Sequence, residues 1–183
     1  GINDLGVGTD GGGSVLAPAA ALNLYGFISP LIEKEYLKQF QKVSTDGISF
    51  SSSLGVISRD WDTLKKAVQA VPELGPGKAE AGLPGPGTQT ADKNTLLVQT
   101  VEADGSLDLF GPREPLIRYV RETVRRGRIL ISREGPVDLF GLGDTVFGHF
   151  SEETGELQRR SGKGLMRVAN MCGLSALTVP DQG

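Results

Sequence analysis

The stretch GVGTDGGGSVLAPAA, residues 6 to 20, restricts the fold more than any other part of the chain. Gly11, Gly12 and Gly13 are consecutive, Asp10 stands before them, and Ser14 comes after them before the sequence turns apolar. Three successive residues without a Cβ favour neither helix nor strand, so the chain is expected to bend here. The segment after the bend is expected to be interior, because no charged residue occurs between Asp10 and Glu33. That run is long enough to raise the question of a membrane span, but Gly13, Pro18, Asn23, Gly26 and Pro30 interrupt it. It reads instead as a buried core segment.

The rest of the chain is compatible with such a core. Its 183 residues are 38% hydrophobic and 22% charged, which suits one soluble globular domain. A net charge of -3 and an aromatic content of 6% argue against nucleic acid or an acidic membrane surface as partner. The single cysteine, Cys172, excludes an intramolecular disulfide and a paired-cysteine zinc site. The cytoplasm is the expected compartment, and neither a cofactor nor a metal is expected. The chain opens almost inside the glycine motif and stops at TVPDQG, so it reads as an internal piece of a longer protein.

Along the chain, residues 15 to 30 are expected to start as a buried helix and continue as a buried strand or turn. PLIEKEYLKQFQK places Leu31, Ile32, Tyr36, Leu37 and Phe40 near one helical face. STDGISFSSSLGVIS reads as loop and short strand, and its run of serines is either a polar loop or a loop beside a site. SRDWDTLKKAVQAV reads as a helix with Ser58 as N-cap and Trp61, Leu64, Val68 and Val71 as its buried stripe, ended by Pro72. Four prolines and five glycines in residues 72 to 87 mark a loop or linker, extending over about 72–92.

TLLVQTVEADGSLDLFG reads as a hairpin turning at Asp104 and Gly105. EPLIRYVRETVRRG reads as a helix with Leu116, Ile117, Val120 and Val124 inward and Gly127 as its stop. Arg118, Arg121 and Arg125 share a face, which reads either as solvated cations near the helix C-terminus or as a surface for an acidic partner or a substrate carboxylate. RILIS reads as a buried strand, GKGLMRVANMCGL as helical, and SALTV as a strand closed by Pro180. Cys172 reads as a buried small hydrophobe. DLFG occurs at 108–111 and at 138–141 with unrelated flanks, so it marks no repeat. Helices alternating with strands give an α/β expectation: a mixed β-sheet core covered by helices, in one domain over residues 1–183.

Three chemistries compete for the glycine loop. Gly6, Gly8 and Gly11 satisfy the dinucleotide fingerprint, but the preceding segment is short and polar, and Gly12, Gly13 and Pro18 lie where its helix should run. A nucleophile elbow needs a second glycine where Leu16 stands, and the only histidine, His149, sits in FGHF and reads better as a packed residue than as a base. The third reading fits the residues best. Backbone amides of Gly11, Gly12, Gly13 and Ser14 could converge as an oxyanion hole beside Ser14 as nucleophile. Asp10 would hold the turn by accepting from loop amides.

On these residues the sequence resembles the amidase signature family, whose members carry a G-T-D-x-G-G-S-I-R-x-P-A segment. Thr9, Asp10, Gly12, Gly13, Ser14, Pro18 and Ala19 match it position by position. Tyr25, Gly26, Phe27 and Pro30 match the family's next stretch, Gly55, Arg59 and Asp62 match a later one more weakly, and ANMCGLSALTVPDQG is similar to a segment further on. Residues 72 to 150 match nothing recognisable in the family.

The resemblance implies an amidase-signature-like fold, incomplete at both ends, and hydrolysis of a linear amide through an acyl-enzyme on Ser14, with a small-molecule amide as partner. It assigns Gly11, Gly12 and Gly13 to the oxyanion hole and Asp10 and Thr9 to loop support. The family also uses a lysine and a second serine held in a cis peptide, both on segments that would precede Gly1, so this piece alone is expected to be inactive. One departure is sharp. The family's arginine two residues after the nucleophile is Leu16 here, which removes about 1–3 kcal/mol of support from Asp10. A non-catalytic, amidase-like binding or structural subunit is therefore the alternative.

Overall fold

The computed structural model describes residues 3–44, 46–72, 97–101, 107–109, 111–125, 128–134, 151–153 and 163–181. The linker at about 72–92, the turn at 104–105, Gly127 and His149 lie outside the described residues beyond Pro72 itself.

The chain enters on β1 (Gly6–Asp10), bends through the glycines, and forms the short helix α1 (Leu16–Ala21) before β2 (Tyr25–Ser29). A second short helix, α2 (Lys34–Leu37), runs into a 3-10 turn (Lys38–Phe40) and the ribbon of β3 (Gln41–Val43) and β4 (Ser49–Ser51). β5 (Ser53–Ser58) then inserts between β1 and β2, and β8 (Ala176–Thr178) pairs with the far side of β2. The order β1-β5-β2-β8 is antiparallel at every step. Asn23, in the left-handed region at φ 54°, ties the end of β8 back to α1, exchanging hydrogen bonds with the backbone of Asp181 at 3.0 and 3.2 Å.

Helices mixed with antiparallel sheets agree with an α/β composition, but a single mixed sheet is not what the described strands form. Parallel pairing is confined, among them, to β6 (Leu97–Val101) with β7 (Arg128–Ser132), joined across α4 (Arg113–Arg125). The hairpin expected after residue 97 is corrected by this pairing. Residues 107–109 form no strand, and β6 finds its partner beyond the helix. A parallel pair requires such a crossover, and the local turn signal at Asp104 and Gly105 cannot reveal it.

Other expectations change in the same way. α3 (Trp61–Gln69) is capped by Asp60, not Ser58: the Asp60 carboxyl accepts from the Thr63 amide at 2.7 Å. The Ser58 hydroxyl instead donates to the Asp4 carbonyl and accepts from the Asp60 amide. Of the α3 stripe only Leu64 is fully buried, and Trp61 is exposed but leans on the Tyr25 ring at 5.5 Å. Tyr36 and Phe40 are also exposed and pack edge-to-face on each other, because the helix there is one turn long and its inward side is taken by Leu37. Ile129 and Ile131 are half exposed, so β7 buries one side rather than two.

The core has two lobes. Leu116, Ile117 and Val120 of α4 pack with Leu109, Leu165, Val168 and Met171. Val15, Leu16, Ala17 and Ile28 pack with Met166. The short helix α5 (Met166–Ala169) gives Met166 to one lobe and Val168 to the other, and so locks the glycine bend against α4. Close approach of α1 to the sheet depends on glycine. A Cβ on Gly26 would stand 2.6 Å from the Ala19 Cβ, and one on Gly55 would stand 3.0 Å from Val15 Cγ1 at the start of the helix.

Candidate active site

The bend between β1 and α1 is organised by one buried side chain. Asp10 ends β1 with no exposed surface, and its carboxyl accepts three backbone N–H groups: Gly13 at 2.6 Å, Val15 at 2.8 Å and Leu16 at 3.1 Å. These amides open a helix and have no intrahelical partner of their own. Gly13 sits at φ +96°, a region that L side chains rarely adopt. A Cβ there would also meet the Lys163 side chain at 3.2 Å.

Past this clamp Ser14 is exposed, while Gly13 and Val15 on either side are buried. Among the described residues the amides of Gly11, Gly12 and Ser14 donate to nothing, whereas the Gly13 amide is committed to Asp10. The donors left for a ligand on this loop are therefore those of Gly11, Gly12 and Ser14. Thr9 lies one residue before the clamp, exposed on the edge strand β1. Leu16 is 1% exposed, inside the second core lobe. Its backbone supports Asp10, and its side chain anchors the helix below.

Further residues, with no role evident from the sequence, hold the loop from outside. Asn170, 5% exposed, donates from Nδ2 to the Gly11 carbonyl at 3.2 Å and to the Ser51 carbonyl at 2.9 Å, and accepts from the buried Ser53 hydroxyl. One carboxamide thus joins the glycine turn, β4 and β5. On the other flank Arg113 grips Asp46 with Nε and Nη2, each at 2.6 Å, which leaves Nη1 facing the loop, 3.8 Å from where a Gly12 Cβ would be. Burial pushes the Asp46 carboxyl up, but hydrogen bonds from Arg113 and Ser44 outweigh it and hold it below its ordinary value. The turn that carries Lys163 is fixed by Glu134, which accepts from the Ser132 hydroxyl at 2.6 Å and the Leu165 amide at 3.1 Å. Burial raises the Glu134 carboxyl above the usual range.

Asn170 lies inside a segment that carries the family resemblance, so its residue type is visible in the sequence but its partners, more than a hundred residues away, are not. Arg113 and Asp46 carry no signal, because their pairing spans 67 positions. Among the described residues no group of three or more His, Cys, Asp or Glu is placed to hold a metal, and no helix is long and apolar enough to cross a membrane.

No protein-family model matches this sequence, and no curated protein does. Among solved structures, 6-aminohexanoate cyclic dimer hydrolase aligns with 87% of this chain at 16% identity and a TM-score of 0.31. The chain spans about a third of that enzyme, 36% of its length. A likeness of that grade carries no argument about this chain's fold or activity.

Proposed function

We propose that this chain supplies the nucleophile loop of an amidase-type serine hydrolase acting on a linear amide. The observation that carries the reading is the Asp10 clamp. It takes the Gly13, Val15 and Leu16 amides for structure and leaves Ser14 exposed, with its own amide and those of Gly11 and Gly12 uncommitted among the described residues. In this scheme the Ser14 Oγ attacks the amide carbon. The negative charge that develops on the carbonyl oxygen is met by N–H groups of Gly11, Gly12 and Ser14, which need no reorganisation as it forms. The C–N bond breaks with proton transfer to the leaving amine, and water then releases the acid from the acyl-serine. In the resembled family the base and the proton relay are a lysine and a second serine.

The test is labelling of the full-length protein with a fluorophosphonate probe. Wild type is expected to label and Ser14→Ala to lose at least about 100-fold of the labelling rate, the scale of removing an activated nucleophile. A second reading, a non-catalytic relative that binds or scaffolds, is favoured by Leu16 standing in the core where the family has an arginine. Absence of wild-type labelling decides for it.

A further inference from the structure

We propose that a second site, which abuts the glycine loop through Asn170 and Phe50 but is not lined by Ser14, binds a small organic anion: a carboxylate or phosphate headgroup on a short apolar chain. The site is a cleft of about 260 Å³ between α2, the serine run of β4 and β5, and the segment from Asn170 to Gly173. Neither Ser14 nor any of Gly11, Gly12 and Gly13 lines it.

Its charge is opposite to that of the whole molecule. The chain carries a net charge of -3, yet Lys34, Lys38 and Arg121 border this cleft and no acidic residue does among its described lining. Lys38 leans outward on Glu35 at 2.6 Å, and that carboxylate is exposed and outside the cleft. Arg121 has no carboxylate partner among the described residues. Its Nη2 donates to the Met171 carbonyl at 2.9 Å, which fixes the guanidinium at the cleft wall. With Lys38 turned to Glu35, Lys34 and Arg121 are left to set a positive potential in the concavity, which an entering anion relieves. A guanidinium held by one contact also presents a planar donor edge suited to carboxylate or phosphate oxygens.

The rest of the lining sets the remainder of the ligand. The hydroxyls of Ser51 and Ser52 make no hydrogen bond among the described residues and are available as further donors. Leu37, Phe50 and Met171 supply the apolar wall. The volume lies below the range of roughly 300–1,000 Å³ typical of drug-sized pockets, so the apolar part must be short. A polynucleotide or a folded partner does not fit such a volume. The arginine face that the sequence left open between solvated cations and a carboxylate-binding surface is thereby divided: Arg121 turns to the cleft, while Arg118 stays exposed with Glu114 at 3.8 Å.

The experiment titrates the isotopically labelled full chain with pentanoate, pentyl phosphate and pentanamide, following amide chemical shifts. The expected result is saturable shifts confined to Ser51–Ser53 and Asn170–Gly173, with a dissociation constant on the order of 1 mM for the better anion. The neutral pentanamide is expected to bind roughly tenfold more weakly, and Arg121→Ala to weaken the anion roughly fivefold, with partial recovery in Arg121→Lys. Lys34→Ala, at an exposed position, is expected to weaken it about twofold with the fold intact. Whichever anion binds tighter identifies the headgroup. The proposal is overturned if pentanamide binds as well as the anions, if Arg121→Ala and Lys34→Ala both leave affinity unchanged, or if shifts scatter over the surface. None of these readouts depends on whether Ser14 is a nucleophile.

Discussion

Asp10 and Asp46 each organise a turn beside the same loop, and they do so in opposite ways. Asp10 is fully buried and satisfied by three backbone amides. Asp46 is partly exposed and satisfied by Arg113 and Ser44 side chains. The first arrangement is short-range: donors and acceptor lie within six residues. The second is long-range, its partners 67 positions apart, and it forms only with α4 docked. The contrast shows that Asp10 is satisfied without a cation, its donors being three main-chain amides.

The sharpest way to break this comparison is to delete each carboxyl. Asp10→Ala strands three amides at the start of α1 and is expected to cost about 3 kcal/mol or more, since each buried unpaired group costs roughly 1–3. Urea denaturation measures it, and equal losses for Asp10→Ala and Asp46→Ala would erase the distinction. Next in size is Asn170→Ala, which frees the Gly11 and Ser51 carbonyls and the Ser53 hydroxyl together. It is expected to cost about 2 kcal/mol and to speed hydrogen exchange in the glycine turn.

Smallest is the exposed pair: Arg113→Ala is expected to cost about 1 kcal/mol or less. Its signature is pH. The Asp46 carboxyl is held below its ordinary 3.8, so the pair's contribution is fully present above 3.8 and is lost as pH falls through the lowered value. Urea midpoints measured from pH 6 to pH 2 are expected to fall more steeply in wild type than in Arg113→Ala. Parallel curves would show that the pair contributes nothing.

Legibility in the sequence divides along the same line. The bend, the burial of Val15–Ala17, Ala19, Gly26, Ile28 and Ser29 and the inward face of α4 were legible because glycine content and apolar spacing act locally, whereas Leu22 of the same apolar run is exposed. The α4 stripe in particular placed Leu116, Ile117 and Val120 correctly. The N-cap of α3 was misread by two residues because Ser58 and Asp60 are both good caps and only the strand end decides between them. The β6–β7 pairing, the Asn170 bridge and the Arg113 grip were not legible, since each joins residues that sequence spacing cannot bring together. At the candidate site, residue types were readable, but the spending of the Gly13 amide on Asp10 was not. It depends on φ at one glycine and on the depth of one carboxyl.

The leucine beneath the loop has a further consequence. A bend held by main-chain contacts and a buried aliphatic anchor keeps its backbone when the exposed side chain at its tip is exchanged, so Ser14→Ala is expected to fold with the same clamp.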